Sequence, residues 1–390
     1  MEQKGVVVIG AGPAGSSAAK AIAQAGHDTL LLEKDRFPGE TAVCGGALAG
    51  EFAESALRQL PVGIVEKHVT NWLIYLPGKT YHLSDLSTIS FQRSVFDRFL
   101  AEDAARSGAD LRVRTLATDI GRNSNRLIVR VKDLDTRQEH SVETQLVIFA
   151  DGPNTLAKAF GLGFPRARPD ITVSAAIYDL EWKDNPVNCF ECFFDERISP
   201  WGYGWIFPKR DVVNVGVGCL FSRMKGNVKR YLDHFVEHHI GVSPRLRTLR
   251  KVRFAADVIP LAPARRIIAD NMIVIGDAAG MVDPIWGGGI GGAMMAGSMA
   301  GKVAVLAIQE NAFSSRVLCQ FEKMWKATPQ HRYMQRASMT NALFLKYSRF
   351  DKQAFFKLMR LALWRGNTPE LRLASEDLLA QGVISLSNLR

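Results

Sequence analysis

Short runs of aliphatic residues without a polar interruption alternate with small-residue helical segments at the start of this chain. The run VVVIG at 6–10 is typical of a parallel strand buried on both faces of a sheet. An Ala- and Ser-rich helical segment follows it, and LLLEK at 30–34 predicts a second buried strand. Further strands of this type are predicted at 146–152 and 271–280. Strands that alternate with helices in this way indicate an α/β fold built on a parallel sheet.

A different pattern begins near residue 170. Longer alternating strands run from 170 to 220, a small-residue helix is predicted at 289–308, and amphipathic helices are predicted across 315–382. We therefore expect an α/β domain assembled from separate pieces of chain, a β-rich domain inserted into it, and a helical C-terminal region. The predicted divisions are 1–70, 93–165 and 255–310 for the α/β domain, 71–92 and 166–254 for the β-rich domain, and 311–390 for the helical region.

The composition is that of an ordinary globular protein. The 390 residues are 47% hydrophobic and 23% charged, which excludes a disordered chain, a collagen-like fibre and a coiled coil. Five cysteines are too few for a disulfide scaffold and favour a reducing compartment. No run reaches the roughly 18–20 uncharged apolar residues of a membrane-spanning helix, and the first residues lack a secretory signal. We therefore expect a cytoplasmic protein without a transmembrane helix.

Positive charge is concentrated at the C-terminus. The 49 Lys and Arg exceed the 39 Asp and Glu by 10 over the whole chain. Residues 311–390 hold 13 basic and 5 acidic residues, which is a net charge of +8. Such a segment suits an anionic membrane surface, an acidic partner or nucleic acid, while a solvated helix face gives the same pattern. We expect no nucleic-acid partner.

The sequence GAGPAG follows the first strand directly and opens a helix. In this context a GxGxxG motif indicates dinucleotide binding. Its glycines let the backbone approach a pyrophosphate, and the helix N-terminus supplies amide donors. Glu33 ends the second strand, where a carboxylate accepts hydrogen bonds from adenosine ribose hydroxyls and disfavours a 2′-phosphate. FAD or NAD is therefore expected rather than NADP. The candidate cofactor-binding residues here are Gly10, Gly12, Pro13, Ala14, Gly15, Glu33 and Lys34.

Three further motifs follow in order: an Arg-containing helix start at RSVFDRFLA, then FADG at 149–152 and IGDAAG at 275–280. With the N-terminal GxGxxG they resemble the FAD-binding family of the aromatic hydroxylase type. The resemblance implies a Rossmann-like FAD-binding domain with FAD as the cofactor. It also implies that Asp277 binds the ribityl chain and that Arg93 lies near the cofactor. The residues it adds to the cofactor site are Arg93, Asp151, Gly152, Gly276 and Asp277.

The stretch 287–292, GGGIGG, is a second literal GxGxxG. It does not follow a strand directly, and no strand ending in an acid follows it. We therefore predict a helix N-terminus at Gly289 and Ile290 that faces the flavin ring, where its amides stabilise the charge of reduced flavin. Without a second dinucleotide fold, the electrons must come from a transiently bound nicotinamide cofactor or from a small carrier protein.

The stretch PWGYGWIFPK at 200–209 spaces four aromatic residues at period two, so that a strand would direct all four to one side. Such a row can line a long apolar pocket, although an ordinary β-domain core gives the same spacing. Y-x-W-x-F-P in the β-rich domain of an FAD protein resembles the signature of the geranylgeranyl reductase family. The predicted pocket residues are Trp201, Tyr203, Trp205 and Phe207.

The segment CGGAL at 44–48 also matches that family's CGG-type segment, which implies that Cys44 and Gly45 lie beside the flavin and the substrate. The resemblance covers roughly residues 5–310, and the tail beyond 310 matches only in being helical. It implies an enzyme that reduces isolated C=C bonds of a geranylgeranyl or other prenyl chain in a lipid-like substrate. Reduced flavin N5 would deliver a hydride, and a dry apolar site would protect developing positive charge from water. The candidate catalytic residues are Cys44, Tyr203 and Trp205.

The alternative enzyme class is an FAD-dependent monooxygenase or halogenase acting on an aromatic or apolar small molecule. It shares every cofactor motif. A halogenase favours W-x-W-x-I-P at the aromatic strand, where this chain has Tyr203 and Phe207. An iron–sulfur electron-transfer flavoprotein needs a C-terminal cysteine cluster, and only Cys319 follows residue 300. Cys189 and Cys192 are best explained by core packing, and no metal site is predicted.

A substrate with a long prenyl chain resides in a bilayer, so the enzyme must collect it at the membrane, and the basic tail is a candidate for the membrane contact. Segment 315–365 combines basic residues with large apolar ones, as do helices that lie on an anionic membrane surface. We expect a peripheral position on the inner face of the membrane, and the alternative is that these apolar residues pack on the FAD domain. The apolar residues concerned are Trp325, Phe344, Leu345, Phe350, Phe355, Phe356, Leu361 and Trp364.

Overall fold

The computed structural model of the protein describes residues 1–165, 168–183, 185–348 and 356–357. Its strands are β1 Glu2–Ile9, β2 Thr29–Leu32, β3 Ala47–Ala49, β4 Lys67–Val69, β5 Trp72–Leu76, β6 Lys79–Leu83, β7 Thr88–Ser90, β8 Asp110–Arg112, β9 Thr115–Asn123, β10 Arg126–Asp133, β11 Glu139–Phe149, β12 Thr172–Glu181, β13 Phe190–Phe193, β14 Tyr203–Pro208, β15 Val212–Leu220, β16 Lys251–Pro260, β17 Ile268–Ala269 and β18 Met272–Val274. Its α-helices are α1 Pro13–Gln24, α2 Glu51–Gln59, α3 Arg93–Arg106, α4 Val228–His238, α5 Ser243–Leu246, α6 Ile290–Gln309, α7 Ser315–Ala327 and α8 Pro329–Tyr347.

A mostly parallel sheet organises the first part of the fold, in the order β17-β18-β11-β1-β2-β8, with β10 and β9 continuing from β11. β1 pairs in parallel with both β2 and β11, so Val7 lies between Leu30 and Val147. These side chains are fully buried because helices and strands cover both faces of the sheet. The predicted α/β class is therefore confirmed.

Helices α1 and α6 lie against each other over the sheet, and small residues allow their backbones to approach closely. A Cβ atom built on Gly301 of α6 would lie 2.6 Å from Ala21 Cβ and 2.8 Å from the Ala18 carbonyl oxygen of α1. Glycine is therefore required at this contact, which joins the helix that begins at the nucleotide-binding turn to the one that begins at the GGGIGG stretch.

A second sheet, in the order β16-β12-β15-β14-β13-β5-β6, forms the β-rich part. One face packs on α4, where Phe235 is fully buried. The other face carries Phe190 of β13 and the aromatic side chains of β14 together with Phe344 of α8. Strand β16 runs unbroken from 251 to 260, so it crosses the division predicted between 254 and 255. A small third sheet, β3-β7-β4, continues directly from the Cys44 segment.

Helix α6 is long and apolar enough to cross a membrane by length and composition, although it contains a charged residue. Its 20 residues contain one charged side chain, Lys302. In this fold 61% of its apolar window is buried against other parts of the protein, chiefly α1 and α7. Helices at the centre of a protein core meet the same criterion, so the finding is weak evidence for a span.

The helical C-terminal region begins as predicted, with α7 and α8. Trp325 and Phe344 are almost completely buried, and Leu345 and Phe356 pack at the edge of the aromatic core. These four residues therefore pack on the protein. The other apolar residues proposed for membrane contact, Phe350, Phe355, Leu361 and Trp364, lie outside the described residues.

Replacing Gly301 with alanine is expected to lower the free energy of unfolding by about 1–3 kcal/mol. The added Cβ would overlap Ala21 and the Ala18 carbonyl, and this cost outweighs the gain of about 1 kcal/mol that alanine brings to a helix interior. Urea unfolding followed by circular dichroism tests it. Lys302→Ala, at the exposed neighbouring position, is the control and should change by less than about 0.5 kcal/mol. An unchanged value for Gly301→Ala would show that α1 moves aside without cost.

Candidate active site

A cavity of about 300 Å³ lies where the nucleotide-binding turn meets the aromatic face of the second sheet. The segments that line it include the turn before α1, the segment that follows Val43, the row on β14, and the loop before α6. The predicted site residues among its lining are Gly12, Pro13, Ala14, Cys44, Gly45, Arg93, Gly152, Trp201, Tyr203, Trp205, Phe207, Gly276, Asp277, Gly289 and Ile290. The other residues predicted to bind the cofactor are outside this lining; they are Gly10, Gly15, Glu33, Lys34 and Asp151.

The turn between β1 and α1 has the geometry that a pyrophosphate site requires. Gly10 has φ of 97°, and its N–H donates to the Leu32 carbonyl at 2.8 Å. A side chain at Gly15 would overlap the Gly10 carbonyl, whereas the space beside Gly12 is open. The glycines therefore keep the turn tight and leave room for a phosphate at the N-terminus of α1.

Glu33 is fixed at the end of β2 by two backbone amides. The Ala11 N–H donates to its Oε2 at 3.1 Å and the Asp35 N–H to its Oε1 at 2.9 Å. Burial raises the pKa of this carboxyl, although both amides oppose the shift. Lys34 is more than half exposed and pairs with Asp35, so its side chain lies apart from the cavity.

Two aspartates have carboxylate oxygens without partners among the described residues, as expected where a polar cofactor binds. Asp277 receives no hydrogen bond from the described residues, and burial raises its pKa to about 6 while Arg93 opposes the shift. Asp151 accepts from the Leu156 N–H at 2.8 Å, but its Oδ1 is buried without a partner among the described residues. The open space beside Gly152 and Gly288 adds room for a ligand. The residues present therefore fit FAD.

Arg93 begins α3 and is held by a bidentate ion pair. Its Nε and Nη2 donate to the two carboxylate oxygens of Asp97 at 2.7 and 2.6 Å, and Asp97 is 1% exposed. Arg93 lines the cavity together with Cys44. Burial disfavours its charge, but Asp97, with a smaller contribution from Cys44, outweighs this and raises its pKa. The guanidinium thus connects the cofactor side of the cavity to the thiol.

The segment Cys44–Gly46 lies directly against the aromatic strand. A Cβ atom on Gly45 would lie 2.7 Å from Cε2 of Phe207 and 3.3 Å from Nε1 of Trp205. Gly46 has φ of 67°, and its N–H donates to Cys44 Sγ at 3.3 Å. The two glycines are therefore what allows the thiol segment and the aromatic row to form one wall.

The predicted aromatic row is present, with one correction. Ring centroids are 5.8 Å apart for Tyr203 and Trp205 and 6.1 Å apart for Trp205 and Phe207. Trp201 was expected in the same strand, and this is wrong: β14 begins at Tyr203, and Trp201 has a left-handed φ of 53°. A turn closed by Asp195 precedes the strand and places the Trp201 ring in the same cavity.

The polar side-chain atoms of the aromatic row all form hydrogen bonds. Trp205 Nε1 donates to Asn214 Oδ1 at 2.8 Å, and Asn214 Nδ2 donates to Asp179 Oδ1 at 2.7 Å. The Tyr203 hydroxyl donates to the Trp286 carbonyl at 2.5 Å, and burial raises its pKa well above the ordinary value. The hydroxyl therefore holds a loop, and the faces of the rings are left to form an apolar surface.

Helix α8 supplies residues that the sequence did not reveal. Asn341 accepts a hydrogen bond from Trp201 Nε1 at 3.0 Å and donates to the Pro284 carbonyl at 3.3 Å. Tyr333 donates to Asp283 Oδ2 at 3.0 Å. Neither residue belongs to a recognisable motif, so only the three-dimensional contact shows that α8 closes this end of the cavity.

The loop 283–289 lies between these contacts and α6. Asp283 Oδ1 accepts from the N–H groups of Ile285 and Trp286 at 2.8 and 3.0 Å, and burial raises its pKa. The following glycines line the same cavity as Gly12 and Cys44. The GGGIGG stretch thus lies at the start of α6 facing the first nucleotide site and does not form a second one.

Family models match two successive parts of the chain. One for FAD-dependent oxidoreductases matches residues 5–168, and one for the geranylgeranyl reductase catalytic domain matches residues 170–255. The second match contains β12 to β15 and therefore the aromatic row.

Two similar curated proteins are archaeal digeranylgeranylglycerophospholipid reductases. That of Methanocaldococcus jannaschii is 34% identical over 329 residues, which are 82% of each chain. That of Methanothermobacter thermautotrophicus is 33% identical over 333 residues, which are 82% of this chain and 81% of the other. This degree of similarity over most of both chains establishes a common family.

Solved structures agree with this assignment. A geranylgeranyl bacteriochlorophyll reductase-like protein from Thermoplasma acidophilum has a TM-score of 0.81 and 26% identity, with 97% of this chain and 100% of that one covered. A flavin-dependent brominase has a TM-score of 0.71 at 18% identity, with 92% of each chain covered, which shows a shared fold alone. The resemblance found in the motifs is therefore confirmed: the chain is an FAD-dependent oxidoreductase and belongs to the geranylgeranyl reductase family.

Proposed function

We propose that this enzyme reduces isolated C=C bonds in a geranylgeranyl or other prenyl chain of a lipid-like substrate. The observation that carries the proposal is the shared cavity: the aromatic row, Cys44 and most of the residues predicted to bind the cofactor line one space. The names of the curated relatives support a prenylated lipid as the substrate class.

FAD, when bound in its reduced form, supplies the hydride. The residues that would hold FAD are those that leave space for it or that present polar atoms without a protein partner. Gly12 and the N-terminus of α1 would bind the pyrophosphate, Glu33 the adenosine ribose, and Asp277 the ribityl hydroxyls. Arg93 and the start of α6 would lie against the ring.

Cys44 is proposed as the proton donor in preference to Tyr203. The Tyr203 hydroxyl already donates to the Trp286 carbonyl, and burial raises its pKa, which makes it a weaker acid. The Cys44 thiol accepts a hydrogen bond from the Gly46 N–H, and this donor would stabilise negative charge left on sulfur.

The aromatic row is proposed to bind the chain and exclude water. Trp205 and Phe207 are at least 90% buried, and their rings form an apolar wall opposite the loop 283–289. Aromatic faces also stabilise positive charge that develops on the substituted alkene carbon.

A monooxygenase or halogenase is the second candidate, favoured only by the shared fold. Flavin-dependent halogenases keep a catalytic lysine, and Lys79 lies in the range of sequence positions where that lysine occurs. Here Lys79 is exposed at the start of β6, with its Nζ 4.7 Å from the centroid of the Tyr81 ring. It is absent from the cavity lining, which favours the reductase.

The electron donor is proposed to be a nicotinamide cofactor that binds transiently or a small carrier protein. A membrane surface is proposed as the place where substrate is collected. On α8, Arg332, Arg336, Met339 and Lys346 are exposed at helical spacing. A basic exposed face with an apolar residue at its centre suits an anionic bilayer surface.

The reductase proposal predicts a specific product. Enzyme reduced with dithionite and mixed anaerobically with a geranylgeranyl compound should yield products heavier by two hydrogen atoms for each double bond, detected by mass spectrometry. Oxygen and bromide with an aromatic acceptor should give no hydroxylated or brominated product. Halogenation without prenyl reduction would overturn the proposal in favour of the alternative.

Cys44→Ala should lower single-turnover reduction by roughly 10²-fold or more, the usual contribution of a general acid. Tyr203→Phe should retain the rate within about threefold, since that hydroxyl serves the Trp286 carbonyl. The rate is measured by the return of oxidised flavin absorbance after substrate is added. Cys319→Ala, on the outer helix α7, is the control. A larger loss in Tyr203→Phe than in Cys44→Ala would reverse the assignment.

The double variant Arg332→Glu/Arg336→Glu should weaken co-sedimentation with anionic vesicles about 10-fold or more, because each basic residue near such a surface contributes about 1 kcal/mol. Arg265→Glu/Arg266→Glu reverses two exposed charges elsewhere and should have a smaller effect. Wild-type binding should fall as salt rises and be weaker on neutral vesicles. Equal binding of both double variants would show that α8 is not the contact face.

A further inference from the structure

Lys209 is a buried cation that lacks a carboxylate partner. It follows Pro208 at the end of β14 and is 2% exposed. Its Nζ donates to Gln92 Oε1 at 3.3 Å, and within the described part of the chain no carboxylate oxygen lies within 4.0 Å of it. An ammonium buried beside a neutral amide is unfavourable unless negative charge is provided nearby.

The other cations around the cavity are already paired. Arg93 is neutralised by its bidentate contact with Asp97. Arg253 on β16 lies 3.4 Å from Asp179 Oδ2, and that carboxylate also accepts from Asn214. Lys209 is therefore the buried positive charge near the thiol that is not offset by a direct ion pair.

Lys209 lies against the segment that carries the thiol. A Cβ atom on Gly46 would be 3.2 Å from Lys209 Nζ, and the Gly46 N–H donates to Cys44 Sγ. Because Gly46 lacks a side chain, the Lys209 ammonium can lie against the backbone that donates to the sulfur.

We propose that Lys209 is a positioning residue of the reduction, whose ammonium stabilises negative charge on Cys44 Sγ after the thiol has given its proton to the alkene. The proposal rests on the proposed function in taking Cys44 as the proton donor. The hydride and its electron pair come from the reduced cofactor and form one C–H bond. The S–H bond of Cys44 breaks as the other C–H bond forms, its electron pair stays on sulfur, and water returns the proton before the next turnover.

Several charged groups face this pair from neighbouring elements. Arg93 of α3 and Tyr203 of β14 lie beside Cys44. The charged groups that affect the pKa of Lys209 include Asp179 of β12, Arg253 of β16 and Glu66. Burial lowers the pKa of Lys209, and the nearby carboxylates partly oppose the shift. Its charge is present at low pH and is lost as pH rises through this lowered pKa, so the rate should fall on the alkaline side.

The test measures alkylation of Cys44 in the holoenzyme without substrate, because the thiolate is the species that reacts. Iodoacetamide labelling at neutral pH is quantified at Cys44 and Cys319 by peptide mass spectrometry. Lys209→Met should slow labelling of Cys44 by roughly tenfold relative to Cys319. Lys209→Arg should retain most of the rate, and retained flavin absorbance shows that the fold is intact.

Gln92→Glu provides a second variant that preserves shape. It places a carboxylate on the hydrogen-bond partner of Lys209 and neutralises the ammonium without removing it, so Cys44 labelling should also slow. Lys67→Met is the matched control, because Lys67 is partly buried and its Nζ donates to the Asn185 and Val187 carbonyls away from the cavity. It should leave labelling unchanged.

The outcomes separate the two proposals. Slower labelling in Lys209→Met and Gln92→Glu, with a lower kcat and an unchanged KM, supports the role of Lys209. Unchanged Cys44 labelling in Gln92→Glu overturns it, even if Lys209→Met does not fold. If the two variants label more slowly but the enzyme reduces no prenyl compound, the effect of the Lys209 charge on Cys44 is supported and the substrate assignment is refuted.

Discussion

The contact between a glycine pair and an aromatic strand determines the shape of this active site. Gly45 lies on the rings of Phe207 and Trp205 so closely that even one methyl group would overlap them. Because protein interiors are close-packed, this contact fixes the distance between the thiol segment and the pocket wall. The thiol, the apolar wall and the cofactor side of the cavity all take their relative positions from it.

A buried polar chain keeps the two sides of this contact aligned. Trp205 is oriented by Asn214, Asn214 by Asp179, and Asp179 by Arg253. Arg253 then donates to the Ala42 carbonyl at 2.6 Å, two residues before the thiol. The indole and the thiol segment are thus held by one hydrogen-bonded series, in which each buried polar group has a partner.

Local spacing was sufficient to predict the fold class and a cofactor that is FAD or NAD, because a strand, a glycine turn and a helix follow each other within some 30 residues. Spacing also indicated the aromatic row, whereas FAD and Cys44 were implied by the family resemblance. It could not show Asn341 or Lys209, since their importance comes from contacts between elements far apart in sequence. Trp201 was misplaced because a turn from Ser199 to Gly202, in which Trp201 is left-handed, interrupts the period-two pattern.

The lining of the cavity is drawn from residues as distant as Gly12 and Asn341. Most of these contacts are non-local, and such contacts form late because long loops must close first. FAD can therefore bind with full affinity only when nearly the whole described chain has folded. Since a ligand that binds only the native state stabilises it by mass action, cofactor supply would govern how long newly made chains survive proteolysis. A cavity assembled from such distant residues would thus link FAD binding to the completion of folding.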